Sequence, residues 1–195
     1  MNNYKNKIMN FLLFLFLTIL HSETNYKEPD FILLDVSGGI EIREYGEYIV
    51  AKTSVPLKQK YSENNMFRTL ASYIFGDNQT KQNIPMTAPV TTFKNIDSYD
   101  MLFYMLESDS INHLPKPSGQ NITFEKFNLG KCAVISFSGF VNSYKIKKYE
   151  KKLSRFLKKS KYTPTSSFMV NRYNSPWVLP WNRRNEVLVT IKSNE

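Results

Sequence analysis

A chain of 195 residues that is 42% hydrophobic and 14% aromatic can bury one substantial core, which excludes general disorder and favours a single domain. Its 26 lysine and arginine residues exceed its 17 acidic residues and give a formal charge of +9, so anionic ligands or partners are favoured. The sequence has no zinc-ligand spacing, RNA-binding aromatic signature or Gly-rich basic tail, and nucleic acid is therefore not an expected partner.

The first 22 residues have the pattern of a secretory signal peptide. Lys5 and Lys7 precede a nearly continuous apolar stretch over residues 11–20, which is shorter than the roughly twenty residues that a membrane-spanning helix needs. We therefore predict entry into the secretory pathway, to the extracellular space or the lumen of an endomembrane compartment; a retained signal anchor is the alternative. Residues 23–34 are predicted as an N-terminal linker, at the end of which Phe31–Leu34 is expected to begin the fold, and residues 35–195 as a single domain.

The domain is predicted to contain two similar halves, about residues 40–106 and 131–191, each with the order strand, helix, strand, strand. In the first half, alternating apolar and polar residues predict a β-hairpin of Ile40–Tyr45 with Glu47–Val55, joined at Gly46. Neither half can bury both a helix and a sheet face alone. We therefore predict an α+β fold whose strands curl into a shared sheet or distorted barrel, with the helices outside.

The first helix and the segment after it form the stretch around which the chain is organised. A helix is predicted from Ser62, its N-cap, to Phe75. Apolar residues recur along it at helical spacing, and they are Met66, Phe67, Leu70, Ala71 and Ile74. The apolar segment Ile84–Val90 contains two prolines, which predicts an edge strand or a strand that enters through a bend, and not a central strand. Together these segments either fill a core or form the apolar wall of a ligand site.

The second helix, predicted over residues 142–159, carries a large excess of cations. Glu150 is the single acid among them, and the cations include Lys145, Lys148, Lys151, Lys152 and Arg155. A solvated helix face is one explanation. The alternative is a surface that faces an acidic protein or an acidic membrane.

Residues suited to catalysis or metal binding are scarce. His113 is the only histidine after residue 21, and it lies in a proline-rich loop. Cys132 lies in a predicted buried strand, where a small core residue is favoured over a reactive thiol. We therefore predict no catalytic residues and no metal site.

Three segments carry a resemblance to a known family. They are the IEIREY sequence at Ile40–Tyr45, the IPMTAPV sequence at Ile84–Val90 after a helix that ends in YIFG, and the YNSPW sequence at Tyr173–Trp177 followed by RRNEV at 183–187. In this order they resemble the SOUL/heme-binding-protein family over about residues 35–191. The resemblance implies an α+β fold in which duplicated βαββ halves form a distorted antiparallel β-barrel flanked by two helices. It also implies a non-enzymatic protein that binds heme or another tetrapyrrole.

On this resemblance, a tetrapyrrole is expected to lie in an apolar groove beside the first helix. The chain has no histidine between Glu23 and Asn112, so binding is expected through apolar area without histidine ligation. The groove residues are expected to be Met66, Phe67, Leu70, Ile74 and Met86, with Trp177 and Trp181 covering one edge. The propionates are expected to pair with Arg68, Arg183 or Arg184. One arginine of the pair at 183–184 is expected to bind Glu186 instead. Another small amphipathic molecule in the same groove is the weaker alternative.

Overall fold

The computed structural model describes residues 26–60, 62–119 and 121–194, so the predicted signal peptide lies outside the described residues. The described chain contains ten strands: β1 (Phe31–Ser37), β2 (Ile40–Tyr45), β3 (Glu47–Pro56), β4 (Val90–Lys94), β5 (Ser98–Tyr104), β6 (Thr123–Asn128), β7 (Lys131–Phe137), β8 (Tyr162–Pro164), β9 (Met169–Arg172) and β10 (Asn185–Ser193). Its two α-helices are α1 (Glu63–Ile74) and α2 (Ser143–Leu157). Single 3₁₀ turns occur at Ile111–His113 and Pro180–Asn182.

The strands form one antiparallel sheet that curls strongly into a half-barrel. Its order is β1-β2-β7-β10-β9-β4-β5-β3-β6, and β8 pairs with the end of β10. This order is symmetric about the contact between β9 and β4, because β10, β7 and β2 on one side correspond to β5, β3 and β6 on the other. In the sequence β2 comes before β3 and β6 comes before β7, but each of them pairs with a strand of the opposite sequence half. β2 pairs with β7, and β6 pairs with β3. The predicted α+β fold of duplicated βαββ halves flanked by two helices is confirmed.

The two faces of the sheet pack differently because side chains alternate along each strand. In β5, Met101 and Phe103 pack beneath α1, whereas Leu102 and Tyr104 point into the concave interior of the half-barrel. The second half repeats this arrangement, with the convex face of β7 and β10 covered by α2. Each helix therefore covers the outer face of its own half, and the interior is shared.

The predicted β-hairpin across Gly46 is wrong. β2 pairs with β1 and β7, whereas β3 pairs with β5 and β6. A single intervening residue is too short for the two-residue turn of a tight hairpin. The chain instead bends at Gly46 and passes from one half of the sheet to the other.

The expectation of a non-central strand over Ile84–Val90 is also wrong. Only isolated bridges at Asn83 and Thr87 occur before β4 begins at Val90, because the prolines supply no backbone N–H to a sheet ladder. β4 itself is a central strand between β5 and β9.

The sheet begins at the end of the predicted linker, with the segment that was expected to begin the fold. Residues 31–34 belong to β1, which pairs with β2 across a turn at Gly38 and Gly39. Both glycines have positive φ, 59° and 75°, as the favoured two-residue turn requires. The pairing explains why this apolar run is ordered although its side chains are exposed.

Candidate ligand-binding surfaces

Three of the predicted groove residues lie on the buried face of α1, which packs against the sheet. Met66, Leu70 and Ile74 are at most 3% exposed and pack against side chains of β3 and β5. Burial of an apolar side chain of this size contributes about 1.5–3 kcal/mol. These residues therefore attach the helix to the sheet, and in this structure they present no surface to a ligand. Met86 is half-buried at the margin of the same cluster.

An exposed apolar row runs along α1 beside this buried face. Phe67 is 41% exposed, Phe75 is 68% exposed, and the small side chain of Ala71 lies between them. The Phe67 ring is held by the ring of Phe103, with 5.4 Å between the two centroids. Eight helical residues span about 12 Å, which is comparable with the width of a porphyrin ring. Phe75 was not among the predicted groove residues. Its side chain is nevertheless more exposed than those of Met66, Leu70 and Ile74, which were.

A polar row borders the exposed apolar row. Asn64, Arg68 and Ser72 are exposed at successive four-residue intervals along α1. At the start of the helix, Glu63 accepts hydrogen bonds from Arg172 at 2.8 Å and from the Tyr99 hydroxyl at 2.6 Å. Arg172 of β9 is thus paired with Glu63, and Arg68, which is exposed, is the single cation within α1.

The C-terminal turn keeps its two tryptophans in solvent. Trp177 is 92% exposed and Trp181 is 69% exposed. Arg183 closes the turn by donating hydrogen bonds to the carbonyl of Val178 at 2.7 Å and to that of Pro176. Its guanidinium lies 4.8 Å from the centroid of the Phe140 ring. In this structure Arg183 therefore has a structural role in the turn.

The predicted pairing of Glu186 with the Arg183–Arg184 pair is wrong. Glu186 pairs with Arg43 at 3.0 Å, because β7 brings β2 within one strand of β10. Arg184 forms an ion pair with Glu28 and lies 3.5 Å from the centroid of the Tyr173 ring. Within the described residues, the partners of Arg183 and Arg184 belong to the C-terminal turn, to the loops after β7 and β9 and to the segment before β1, and none belongs to α1.

A polar cavity of about 310 Å³ opens at this end of the half-barrel. Arg43 donates hydrogen bonds to Glu186 at 3.0 Å, to Glu41 at 2.7 Å and to the Tyr45 hydroxyl at 2.9 Å. Glu186 also accepts a hydrogen bond from the Tyr173 hydroxyl at 2.6 Å. The remaining walls are mainly aromatic and apolar, from Pro29, Phe31, Pro89, Tyr104 and Leu129.

Burial and neighbouring charges favour the protonated forms of Tyr173 and Arg43 in this cavity. Burial, followed by the charge of Glu186, raises the pKa of Tyr173 well above its usual value, so its hydroxyl stays protonated and donates. Burial alone lowers the pKa of Arg43, but Glu186 and Tyr45 outweigh it and the pKa is raised. The cluster is therefore a buried ion pair surrounded by neutral hydrogen-bond donors.

The second helix presents its cations to solvent. Lys148, Lys151, Lys152 and Arg155 are exposed, whereas Lys145 is partly buried and donates a hydrogen bond to the Ser138 carbonyl at 2.9 Å. Lys148 and Lys152 also lie within about 6 Å of the Tyr149 ring centroid. The predicted basic face is thus present and accessible.

The single histidine and cysteine of the described chain take no part in such a surface. His113 is exposed, and its Nδ1 lies 2.7 Å from the Asp109 carboxylate. Cys132 is fully buried, and burial raises the pKa of its thiol to about 12. Among the described residues there is no group of three side chains suited to hold a metal ion. None of the described helices is long and apolar enough to span a membrane.

The fold first defines a class: duplicated α+β half-barrels. The EcmrR C-terminal domain has a TM-score of 0.62 and 12% identity, covering 79% of this chain and 97% of that domain. A Listeria innocua structure described as a hydrolase has a TM-score of 0.52 and 8% identity, covering 87% of this chain and 94% of its own. At these identities the likeness shows the fold alone.

Sequence comparison then gives the family. The model of the SOUL heme-binding protein family matches residues 26–190. Human heme-binding protein 2 is 31% identical over 166 residues, which covers 81% of this chain and 80% of that protein. The chain belongs to the SOUL heme-binding protein family, and the predicted resemblance is confirmed.

Proposed function

We propose that this chain is a secreted, non-enzymatic protein that binds heme or a related tetrapyrrole beside α1, without histidine ligation. The family and the name of the human relative support the ligand class. The exposed apolar row of α1 is the observation that supports the location, since it offers ordered aromatic area to a flat ligand.

The macrocycle would lie across Phe67 and Phe75, above the small side chain of Ala71. Phe67 is positioned by Phe103, so little side-chain order has to be created on binding. Met66, Leu70 and Ile74 act from below, by fixing α1 on the sheet. Met86 borders the groove on the side of the proline-containing segment.

One propionate would pair with Arg68, which borders the apolar row. The positive charge of the chain raises the local concentration of a dianionic ligand and supports this assignment. Arg183 and Arg184 would have to leave the contacts described above before they reached a propionate. Their participation, and the cover by Trp177 and Trp181, remain predictions.

Bound heme would supply an iron centre, and the residues of α1 would supply the area that binds and orients the macrocycle. His113 is exposed and already bonded to Asp109, and the side chain of Met66 is buried. We therefore attribute affinity to the porphyrin face. This attribution predicts that metal-free protoporphyrin IX binds nearly as well as hemin.

A titration with both ligands tests the proposal. Hemin binding is followed by the Soret band and by tryptophan quenching, against an unrelated protein of equal basic charge. We expect saturable one-to-one binding of hemin, with protoporphyrin IX within about threefold of it because no iron–protein bond is lost. Uptake equal to the control protein would contradict tetrapyrrole binding. A more than tenfold preference for hemin would contradict binding without iron ligation.

The basic face of α2 supports a second candidate function, the capture of an acidic protein or membrane surface. It is defined by Lys148, Lys151, Lys152 and Arg155, which are exposed on one helix. Reversal of all four charges should abolish sedimentation with phosphatidylserine vesicles and binding to polyglutamate, and leave hemin binding intact. The matched control reverses four exposed cations elsewhere: Lys58, Lys60, Lys94 and Lys116. Equal losses in both variants would mean that net charge alone is responsible, and the face has no specific partner.

A further inference from the structure

The polar cavity is separate from the proposed tetrapyrrole surface. It lies between the segment before β1, the strand β2, the end of β9 and the start of β10, and no residue of α1 lines it. Its volume of about 310 Å³ is at the lower end of the range of small-molecule sites. The cavity therefore suits a ligand much smaller than a porphyrin.

The charges in the cavity favour a cation, although the chain as a whole is strongly basic. Three carboxylates, from Glu28, Glu41 and Glu186, face two guanidinium groups, from Arg43 and Arg184, which leaves a net charge of −1. In the inner part, Arg43 alone faces both Glu41 and Glu186. The excess negative charge there is met only by neutral donors, chiefly the Tyr173 hydroxyl.

Arg184 shows how a flat cation fits the outer part. Its guanidinium lies 3.5 Å from the Tyr173 ring centroid and forms an ion pair with Glu28. An aromatic face below and a carboxylate at the edge are the two features that recognise a planar organic cation. The side chains of Arg184 and Glu28 are 46% and 41% exposed, so this internal cation can be displaced into water without burying a charge.

We propose that the cavity binds a small planar organic cation of the amidinium or guanidinium class, which replaces the Arg184 guanidinium between Tyr173 and Glu28. The remainder of the ligand extends inward toward the aromatic wall of Phe31 and Tyr104. An anion is disfavoured because the carboxylates outnumber the guanidinium groups. A metal ion is disfavoured because two guanidinium groups share the space, and the described residues hold no suitable set of three ligands.

The test uses benzamidine, titrated into the purified protein by isothermal calorimetry. Benzamide and benzoate have nearly the same shape and are the neutral and anionic controls. We expect benzamidine to form a one-to-one complex with a dissociation constant of roughly 0.1–1 mM, which is typical of a ligand with so few non-hydrogen atoms. We expect no measurable binding of the two controls. Equal binding of benzamide would overturn the charge argument, and absence of saturable benzamidine binding would overturn the site.

Two variants with opposite expected effects test the displacement. Arg184→Gln removes the internal competitor and should tighten benzamidine binding roughly tenfold, the combined effect expected of an exposed ion pair and a cation–π contact. Glu28→Gln removes the carboxylate partner and should weaken binding by a similar factor. Glu44→Gln, on the exposed side of β2, is the matched control and should change nothing. Weaker or unchanged binding by Arg184→Gln would overturn the proposal, because it would make Arg184 a part of the site or irrelevant to it.

The tetrapyrrole proposal and the cavity proposal can be tested independently of each other. Hemin and benzamidine are expected to bind independently, because no residue of α1, including Arg68 as the propionate partner, lines the cavity. Displacement of benzamidine by stoichiometric hemin would contradict the separate cavity site even if hemin binding itself were confirmed.

Discussion

The substitution Arg43→Met tests the buried ion pair that links β2 to β10 across β7. Arg43 is on β2, Glu186 is on β10, and their side chains are 6% and 2% exposed. The variant removes the charge of Arg43 but keeps an unbranched apolar side chain of similar reach, so the contact with the Phe31 ring is largely preserved. Glu186 is then left with neutral hydrogen-bond donors only.

The expected cost is large because the remaining carboxylate stays buried. Removal of one partner from a buried pair typically costs about 3–5 kcal/mol, against a total stability of about 5–15 kcal/mol for a domain of this kind. The additional change Glu186→Gln removes the stranded charge. The double variant should therefore recover at least about 2 kcal/mol relative to the sum of the single changes.

Urea unfolding followed by far-UV circular dichroism measures these differences. Arg68→Met is the control, since an exposed arginine on α1 should change the free energy of unfolding by no more than about 0.5 kcal/mol. The slope of the transition should be the same in all variants, which shows that the unfolded states are comparable. If Arg43→Met cost no more than Arg68→Met, or if the two single costs simply added, the ion pair would not have the role described here.

Two further outcomes follow from burial. Leu70→Ala, at a position with 0% exposure, should lower the free energy of unfolding by about 2–5 kcal/mol in the same urea assay. Phe75→Ala, at 68% exposure, should lower it by less than about 1 kcal/mol. Equal costs would contradict the assignment of Leu70 to the core. Cys132, whose thiol pKa is raised to about 12, carries almost no thiolate at pH 8. It should react with a thiol reagent only after unfolding in denaturant, and rapid reaction of the native protein would show that this thiol is accessible.

Local periodicity contributed most to predicting the duplicated fold. Helical spacing predicted α1, and the order strand, helix, strand, strand predicted for each half is the observed one. These patterns succeed because the spacing of apolar residues over a short segment indicates which face of a helix or strand is buried. Proline positions were less informative, since residues 84–89 form no strand and Val90 begins the central strand β4.

The cavity could not be predicted, because its residues meet only through strand order. Arg43 and Glu186 are 143 positions apart and come together because β2 pairs with β7 of the opposite half. The alternation of β2 placed Glu41, Arg43 and Tyr45 on one side, and such a side is usually exposed to water. In a half-barrel it faces the interior, and the presence of Tyr45 among the charged residues was the one local signal.

The extent of the groove on α1 was overestimated for a related reason. The stripe from Met66 to Ile74 is apolar throughout, and the sequence does not show how much of it the sheet covers. The sheet covers Met66, Leu70 and Ile74, and the exposed surface shifts to Phe67 and Phe75.

A hemin titration of the double variant Phe67→Asp/Phe75→Asp tests the central claim most directly. Ile96→Asp, at a loop position with 88% exposure, is the matched control, and Phe75→Asp alone is included because Phe67 also packs against Phe103. Circular dichroism establishes that each variant is folded. The account predicts at least about tenfold weaker hemin binding by the double variant, since the loss of two aromatic contacts with a flat ligand exceeds about 1.4 kcal/mol. It predicts an intermediate loss of affinity for Phe75→Asp and no loss for Ile96→Asp. Unchanged hemin affinity in the folded double variant would contradict the account, because the tetrapyrrole would then bind somewhere other than α1.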